Sequence, residues 1–480
     1  MNNKLLLAVA TLLLPMALFA KSEKRGVSEN QFQFKAQMEA LEPGVSWYYN
    51  WGNTEGTRVE GQEYFTFIPM CWSQNYSADN IRNYCKNHPE TKYILGFNEP
   101  NFTAQANMTP QQAAEAWPAV QAIAKEFNLK IVAPALNYSP NPPYTDPLKW
   151  MDEFVNLVGL DAFDYTAIHS YGGSGVMMDL ATKFHNKYGK DVWVTEFCFW
   201  PNEGDNNSSV SPERQIEDMM VAVEWLEKTE WIHKYAWFKA VGNSSSSTGP
   251  NYGLLIQGTG EEPRELSEQG KVYLYLNDFN PDSYAEVGKP IAASNYFSQS
   301  GAILGSSLDP DNLSPIEITK FSAGASLDYK FDVPSNTEYN LIVKVTGKGE
   351  PERFDPSIAV YSVDSEGNEG EVLCDTQTYE LPGNEETYIN LTFPLDLKAG
   401  KQTIRLKDTN PYRPSGIHFY SVMLADPAGV EGIMADDANA PVNVYNLQGV
   451  CVLKNANPTD INGSLAPGIY VIGDKKIYIK

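Results

Sequence analysis

The sequence is poor in cysteine and in positive charge, and each shortage excludes a class of protein. Its 480 residues include five cysteines, at positions 71, 85, 198, 374 and 451, which are too few and too scattered for a disulfide scaffold. No Cys-x-x-Cys pair or other metal-like cluster is present, so we expect no metal and no cofactor. The 36 Lys and Arg against 60 Asp and Glu give a net charge of −24, which argues against nucleic-acid binding.

Motifs of several other chemistries are also missing. The chain contains no Gly-x-Ser-x-Gly elbow, no Walker loop, no dinucleotide fingerprint and no His-Glu-x-x-His motif. Its apolar run at residues 5–19 is short for a membrane span and is interrupted by Pro15. With Lys4 before it and Ala20 after it, this run predicts a signal peptide over residues 1–20 and no transmembrane segment. We therefore expect an exported protein.

Tryptophan is absent from the second half of the chain. All ten Trp residues lie between positions 47 and 237, which indicates a Trp-rich first domain joined to a different one. Over residues 44–280, strand-like and helix-like segments alternate, which predicts an α/β domain with the (β/α)8 TIM-barrel fold. Seven strands are evident, and a degenerate eighth is expected between Trp51 and Tyr64. Residues 21–43 are predicted to form a lead-in with some helix.

The pattern of apolar and turn-forming residues changes near residue 285. Short alternating runs separated by Gly, Pro, Asn and Asp turns over residues 285–425 predict an antiparallel β-sandwich. It is either a carbohydrate-binding module, with Tyr296, Phe297 and Tyr412 as candidate glycan platforms, or a structural spacer. Residues 433–480 contain two hairpin-like pieces and predict a small all-β C-terminal module.

Two predicted strands end in a glutamate. Residues 93–97 are mostly apolar and run into Asn98 and Glu99, and the following proline stops the strand because it has no N–H. Residues 192–195 likewise lead to Glu196. Barrel folds place their chemistry at such strand ends. Glycosidic bond cleavage needs one carboxylic acid to protonate the leaving oxygen and one carboxylate at the anomeric carbon. Taken singly, either Glu could instead be a salt-bridged strand-end acid.

Polar and aromatic residues near the same strand ends are candidate sugar contacts. His169 and Tyr171 share one face of a strand, and they either orient a carboxylate or contact sugar hydroxyls, or else form a hydrogen-bonded pair at the rim. Aromatic rings stack on sugar rings, although each Trp taken singly could equally belong to the core. The substrate-binding candidates are Trp47, Tyr48, Asn50, Trp72, Asn98, His169, Tyr171, Trp200 and Trp237.

Five segments in order resemble glycoside hydrolase family 128, the alkali-sensitive-linkage-like β-1,3-glucanases: residues 44–51, 67–70, 95–101, 169–171 and 193–197. The resemblance implies a retaining mechanism on β-1,3-glucan, with Glu99 as acid/base of raised pKa and Glu196 as nucleophile. It departs from the family pattern at Cys71. The resemblance implies a secreted endo-β-1,3-glucanase. The alternatives are an exo-acting or oligosaccharide-trimming enzyme, and a non-catalytic surface glycan-binding protein.

Two further expectations concern partners and location. The C-terminal module resembles the sorting modules of secreted Bacteroidetes-type proteins, which implies a bacterial protein that is secreted, periplasmic or at the cell surface. We expect a monomer whose partner is β-1,3-glucan polysaccharide or its oligosaccharides. Cys71 and Cys85 either form a disulfide or are buried free thiols.

Overall fold

The computed structural model describes most of the chain, namely residues 21–57, 59–201, 210–242, 250–256, 265–308, 313–347, 353–426, 442–446, 451–456, 465, 468–472 and 475–479. The predicted signal peptide lies outside these residues and stays a prediction. Among the residues described, no helix is both long enough and apolar enough to cross a bilayer.

The first sheet contains eight parallel strands. They are β1 (Arg25–Ser28), β2 (Trp47–Tyr49), β3 (Thr66–Phe67), β4 (Tyr93–Leu95), β5 (Lys130–Leu136), β6 (Tyr165–Ser170), β7 (Val192–Phe197) and β8 (Ile232–Phe238). Their order is β3-β2-β1-β8-β7-β6-β5-β4. The two ends of this order meet where Met70 bridges Leu95 and the Cys71 amide donates to the Leu95 carbonyl at 2.9 Å. The sheet therefore closes, and the predicted TIM-barrel fold is confirmed.

Helices follow the strands and surround the barrel. They are α1 (Lys35–Leu41), α2 (Ala78–Asn87), α3 (Pro110–Phe127), α4 (Pro147–Val158), α5 (Ser174–Tyr188), α6 (Pro212–Lys228) and α7 (Glu268–Tyr275). Their starts follow from sequence: Ser211 caps α6 by accepting from the Arg214 amide, and Pro212 occupies the first turn. A single 3-10 turn, Gln62–Tyr64, follows β2 in place of a longer helix.

The eighth strand is β1, and the prediction of its position was wrong. It lies in the segment assigned to a lead-in, not between Trp51 and Tyr64. Val27 of β1 pairs with Tyr48 of β2 on one side and with Trp237 of β8 on the other. The sequence pattern does not reveal this strand because its four residues include a single β-branched apolar one, although all four are buried.

Arg25 in β1 anchors the base of the barrel. Its buried guanidinium donates to the Tyr235 hydroxyl at 2.9 Å, pairs with Glu227 at 3.2 Å and donates to backbone carbonyls at the end of α7. We expect Arg25→Ala to lower the free energy of unfolding by about 3–5 kcal/mol, because it leaves a buried carboxylate unpaired. Urea unfolding measures this loss. The control is Lys35→Ala, which removes an exposed ion pair with Glu60 and should cause no measurable loss of stability.

Buried side chains form two apolar layers in the barrel domain. The larger layer lies between the strands and the helices. The smaller fills the barrel interior and consists of Trp47, Tyr49, Ile68, Met70, Leu95, Val132, Ala135, Ala167, Trp193 and Ala236. Cys71 and Cys85 are buried free thiols, the second of the two alternatives for this pair.

The second sheet is almost entirely antiparallel. Its strands are β9 (Ala285–Glu286), β10 (Ile291–Ala292), β11 (Ser298–Ser306), β12 (Ile316–Val333), β13 (Thr337–Gly347), β14 (Ser357–Val363), β15 (Glu369–Thr378), β16 (Asn384–Leu397), β17 (Gly400–Asp408) and β18 (Ile417–Ala425). The long strand β12 pairs with β18 through its first part and with β17 through its second. Buried and exposed residues alternate along β13 and β17, so one face of each borders a core. The predicted all-β fold is confirmed.

The three aromatic residues predicted as glycan platforms have different environments. Tyr296 is fully buried, so it offers no platform and that prediction was wrong. Phe297 is covered by the ammonium groups of Lys228 and Lys330, at 4.2 and 4.5 Å from its ring centroid. Tyr412 is 90% exposed.

The tail forms a four-stranded antiparallel sheet. Its strands are β19 (Val442–Asn446), β20 (Cys451–Ala456), β21 (Gly468–Ile472) and β22 (Lys475–Ile479), in the order β20-β19-β21-β22. The role of this module in sorting stays a prediction.

Candidate active site

Glu99 is held at the end of β4 by an unusual backbone. Its amide donates to the Ala135 carbonyl at 3.0 Å, while its φ of 41° lies in the left-handed region. A non-glycine residue in this region is strained, and such strain persists where the surrounding structure enforces it. Gly96 permits the preceding close approach to β5, because a Cβ there would lie 2.8 Å from the Val132 carbonyl oxygen. The chain thus fixes where the Glu99 carboxyl lies.

Glu196 owes its direction to an irregularity in the pairing of β6 with β7. Ile168 pairs with Val194, but the next residue, His169, pairs with Glu196, so that Thr195 is skipped. A bulge of this kind re-aims the side chains that follow it. It places Glu196 opposite His169 at the end of the barrel where Glu99 also lies.

The two carboxyl groups flank His169. The Nδ1 atom of His169 lies 2.9 Å from Glu99 Oε1, and its Nε2 atom lies 3.5 Å from Glu196 Oε1. One ligand-type atom from each of these three buried residues lies within 4.8 Å of the others. A metal ion could be held by such a trio, but glycosidic cleavage uses the two carboxyl groups without one.

Three neutral donors converge on Glu196. The Tyr49 hydroxyl and the Trp51 indole N–H donate to Oε1 at 2.8 and 2.7 Å, and the Tyr171 hydroxyl donates to Oε2. Trp51 reaches this position from a left-handed backbone with φ of 59°. A carboxylate that accepts several hydrogen bonds is fixed in orientation.

The environment of Glu99 differs from that of Glu196. Burial raises the pKa of Glu99 above its ordinary value; contact with His169 opposes this shift, and the nearby negative charge of Glu196 adds to it. Glu99 is therefore suited to carry a proton and Glu196 to accept hydrogen bonds. Two carboxyl groups with environments of this kind can divide the roles of acid and nucleophile.

A family model described as "Glycosyl hydrolase catalytic core" matches residues 26–273, which is more than half of the chain. The chain belongs to this glycosyl hydrolase family. It is a glycoside hydrolase, and the match includes both glutamates and all of β1 except Arg25.

Several relatives of this glycoside hydrolase have been described. The chain is 34% identical to a family 128 (subgroup II) endo-β-1,3-glucanase from Pseudomonas viridiflava, covering 53% of this chain and 98% of that one, with a TM-score of 0.46. It is 31% identical to the corresponding Sorangium cellulosum enzyme, covering 52% and 97%, with a TM-score of 0.45. These sequence identities confirm the resemblance to family 128. The evidence for the fold is the strand pairing described above.

A curated relative is the "Alkali-sensitive linkage protein 1" of Schizosaccharomyces pombe. It is 24% identical over 238 residues, which are 48% of this chain and 40% of the relative. The chain thus matches less than half of that protein's length.

Some of the predicted substrate-binding residues of this glycoside hydrolase lie at the carboxylates. His169 and Tyr171 contact them directly. Asn98 is buried beside Glu99, and its Oδ1 atom is buried without a hydrogen-bond partner in the structure, so the prediction that Asn98 contacts sugar remains untested. The edge of the Trp200 ring faces Tyr171 at 6.2 Å, and the Trp72 carbonyl accepts from the Asn98 amide at 2.9 Å.

Asn50 lies at the same rim, but its side chain is used within its own loop. Its Oδ1 atom accepts from the Gly52 amide and its Nδ2 atom donates to the Thr54 carbonyl, both at 2.9 Å. These bonds shape the loop that carries Trp51. Asn50 therefore positions Trp51, and the prediction that it contacts sugar remains untested.

The structure does not bring Trp47, Tyr48 and Trp237 into the site. Trp47 lies in the barrel interior at the start of β2, and its indole donates to the Lys24 carbonyl at 2.8 Å. Tyr48 faces the helix layer, and Trp237 packs on Phe197 with a centroid distance of 5.1 Å. All three are at most 1% exposed, so they belong to the core.

Strand alternation explains both these errors and the residues that were missed. Side chains of β2 alternate between the barrel interior and the helix layer, so Trp47 and Tyr49 both face the interior. Tyr49 lies two residues further along the strand and is therefore nearer the carboxylates. On β8 the rim residue is Phe238, whose ring lies 6.0 Å from Trp51 and 5.3 Å from Tyr171. Counting in steps of two from Trp47 would have pointed to Tyr49 and Trp51.

The neighbours Tyr48 and Tyr49 form a matched pair for a test. Tyr49→Phe removes one hydroxyl that donates to Glu196, and a hydrogen bond to a charged group is worth about 1.5–3 kcal/mol. We expect kcat to fall by roughly 10- to 100-fold while KM changes little. Tyr48→Phe removes a hydroxyl outside the site and should leave kcat of the folded protein near the parent value. Equal kcat values for the two variants would contradict the assigned role of Tyr49.

Proposed function

We propose that this protein is a retaining endo-β-1,3-glucanase. The observation that carries the proposal is the close approach of the two carboxyl groups, with an oxygen of each within 4.8 Å of the other. Retaining glycosidases hold their carboxyl groups about 5–5.5 Å apart, whereas inverting ones need about 6.5–9.5 Å to admit a water molecule. The spacing therefore favours direct attack by a carboxylate.

The two-step reaction assigns a task to each group. Glu99 donates its proton to the glycosidic oxygen as that bond breaks, and Glu196 attacks the anomeric carbon to form a glycosyl ester. Glu99, now a carboxylate, then takes a proton from water, whose oxygen attacks the same carbon and releases Glu196. Tyr49, Trp51 and Tyr171 hold the Glu196 oxygens in place for both displacements.

The choice of substrate is supported by the relatives. The two relatives with 31% and 34% identity are described as endo-β-1,3-glucanases. The rim of the site also carries aromatic rings that suit sugar rings, since Trp51, Tyr171, Trp200 and Phe238 lie in contact around Glu196. A glucan of this kind is met outside the cell, which agrees with the predicted export.

A time course of product sizes on linear and branched β-1,3-glucans tests the proposal. A ladder of intermediate oligosaccharides is expected from an endo-acting enzyme, and the first-formed reducing ends should be β anomers by NMR. A single small product from the outset would identify an exo-acting enzyme. Initial α anomers would contradict retention, and binding without any product would identify a non-catalytic glycan-binding protein.

A further inference from the structure

The proposed mechanism leaves unused a groove between the barrel and the second sheet. Its volume is about 450 Å³, within the range of small-molecule ligand sites. The barrel contributes the first turn of α6 and the first residue of α7. The second sheet contributes residues of β11 and β12, the start of β18, and Phe354.

Direct bonds between the two walls give the groove a fixed shape. Lys320 on β12 pairs with Glu213 on α6 at 2.8 Å. The Ser306 hydroxyl on β11 donates to Glu268 on α7 at 2.8 Å. Because these contacts lie along the lining itself, a ligand would meet walls that are already in place, and little ordering would oppose its binding.

Phe354 presents an aromatic face to this groove. Gly416 has φ of 68°, and a Cβ added there would lie 2.6 Å from the Phe354 ring. The ring is therefore seated directly on a glycine backbone and is held in one orientation. The ring is half-buried and the Arg353 guanidinium lies 5.6 Å from its centroid, so only the part of the ring that borders the groove offers apolar contact to the C–H groups of a sugar ring.

His418 supplies a polar group to the lining of the same groove. Its Nδ1 atom lies 3.8 Å from Glu317, whose side chain is 2% exposed. Glu317 accepts from the Ser307 hydroxyl at 2.8 Å and from the Tyr388 hydroxyl at 3.1 Å, so its position is fixed. The imidazole therefore lies near a buried carboxylate whose own position is fixed.

We propose that this groove is a second glycan-binding site, which holds a further stretch of the β-1,3-glucan chain; the identity of the glucan rests on the proposed function. The lining combines an apolar floor, one aromatic face and charged groups of both signs, which suits a neutral polyol. An anionic ligand would meet a protein of net charge −24. Helix α6 follows β7, whose end carries Glu196, so the first turn of α6 that lines the groove belongs to the side of the barrel where its strands end.

Binding to insoluble linear β-1,3-glucan tests this proposal. The Glu196→Ala protein serves as the parent, so that the polymer is not consumed during sedimentation. We expect Phe354→Ala and, separately, His418→Ala to raise the dissociation constant by roughly tenfold. Tyr412→Ala, which removes the exposed aromatic side chain of the same domain, is expected to bind as the parent does. Unchanged melting temperatures show that the variants are folded.

The possible outcomes separate this proposal from the one before it. Three results would contradict the proposed glycan site in the groove. They are parent-like binding by both groove variants, loss of binding only in Tyr412→Ala, and no binding by the parent. If the natural protein cut no β-1,3-glucan but binding still depended on Phe354, the proposed activity would be wrong and the proposed second binding site would be supported. If it cut the polymer and binding did not depend on Phe354, only the proposed second binding site would be wrong.

Discussion

Glu196→Ala should abolish hydrolysis of β-1,3-glucan, with a loss of about 10⁴-fold or more in kcat. The variant lacks the carboxylate that we propose attacks the anomeric carbon, and among the described residues the carboxyl group grouped with it is that of Glu99. Initial rates on a soluble glucan measure the loss. Glu224→Gln is the matched control: this half-buried glutamate bonds Lys228 and Ser298 away from the site, and its replacement should leave kcat near the parent value.

Adding azide to the Glu196→Ala variant tests whether the missing carboxylate was the nucleophile. In Glu196→Ala, azide can occupy the space of the lost carboxylate and attack an activated aryl glycoside from that side, while Glu99 still protonates the leaving group. One displacement then takes place instead of two, so the product should be the α-glycosyl azide. A β-glycosyl azide from this variant would show that the two glutamates have the opposite roles.

Glu99→Gln should lower kcat/KM on the polymer by about 10²–10⁴-fold, the usual contribution of a general acid. The loss should be much smaller in the first step for aryl glycosides whose leaving groups need no proton. Glu196 then still forms the glycosyl ester, and azide should release it from the opposite side as the β-glycosyl azide. Equal losses on both kinds of substrate would contradict the role of proton donor.

The pH dependence of the parent follows from the same residue. Glu99 must be protonated to act as an acid, so activity falls as pH rises through its pKa. Burial raises that pKa, and the basic limb of the kcat/KM profile should therefore lie above the range of an ordinary Glu. With an activated substrate, Glu99→Gln should lose this limb. A basic limb that is unchanged in the variant would assign it to another group.

The positions of the two glutamates could be predicted from sequence because each ends an apolar strand-forming run. Parallel strands of a barrel all end on one face, so two strand-end carboxylates must lie on that face wherever they occur in the chain. The same reasoning located seven strands, the alternation of strands with helices and the second all-β fold. It failed at β1, which is four residues long. These residues are buried because neighbouring strands cover them and because Arg25 finds buried hydrogen-bond partners, and neither cause is visible in the sequence.

The aromatic surroundings of the carboxylates were decided by tertiary structure. In a strand, neighbouring side chains face opposite sides, so an error of one residue exchanges the core for the site. That error selected Tyr48 and Trp237, whereas Tyr49 and Phe238 face the interior. The bulge that turns Glu196 toward His169 depends on pairing between two strands. The left-handed backbones of Glu99 and Trp51 are enforced by their surroundings. The sequence alone thus determined which carboxylates meet, because strand ends are local features. Only the folded sheet decided what holds those carboxylates, because register, bulges and strained turns arise from contacts between distant segments.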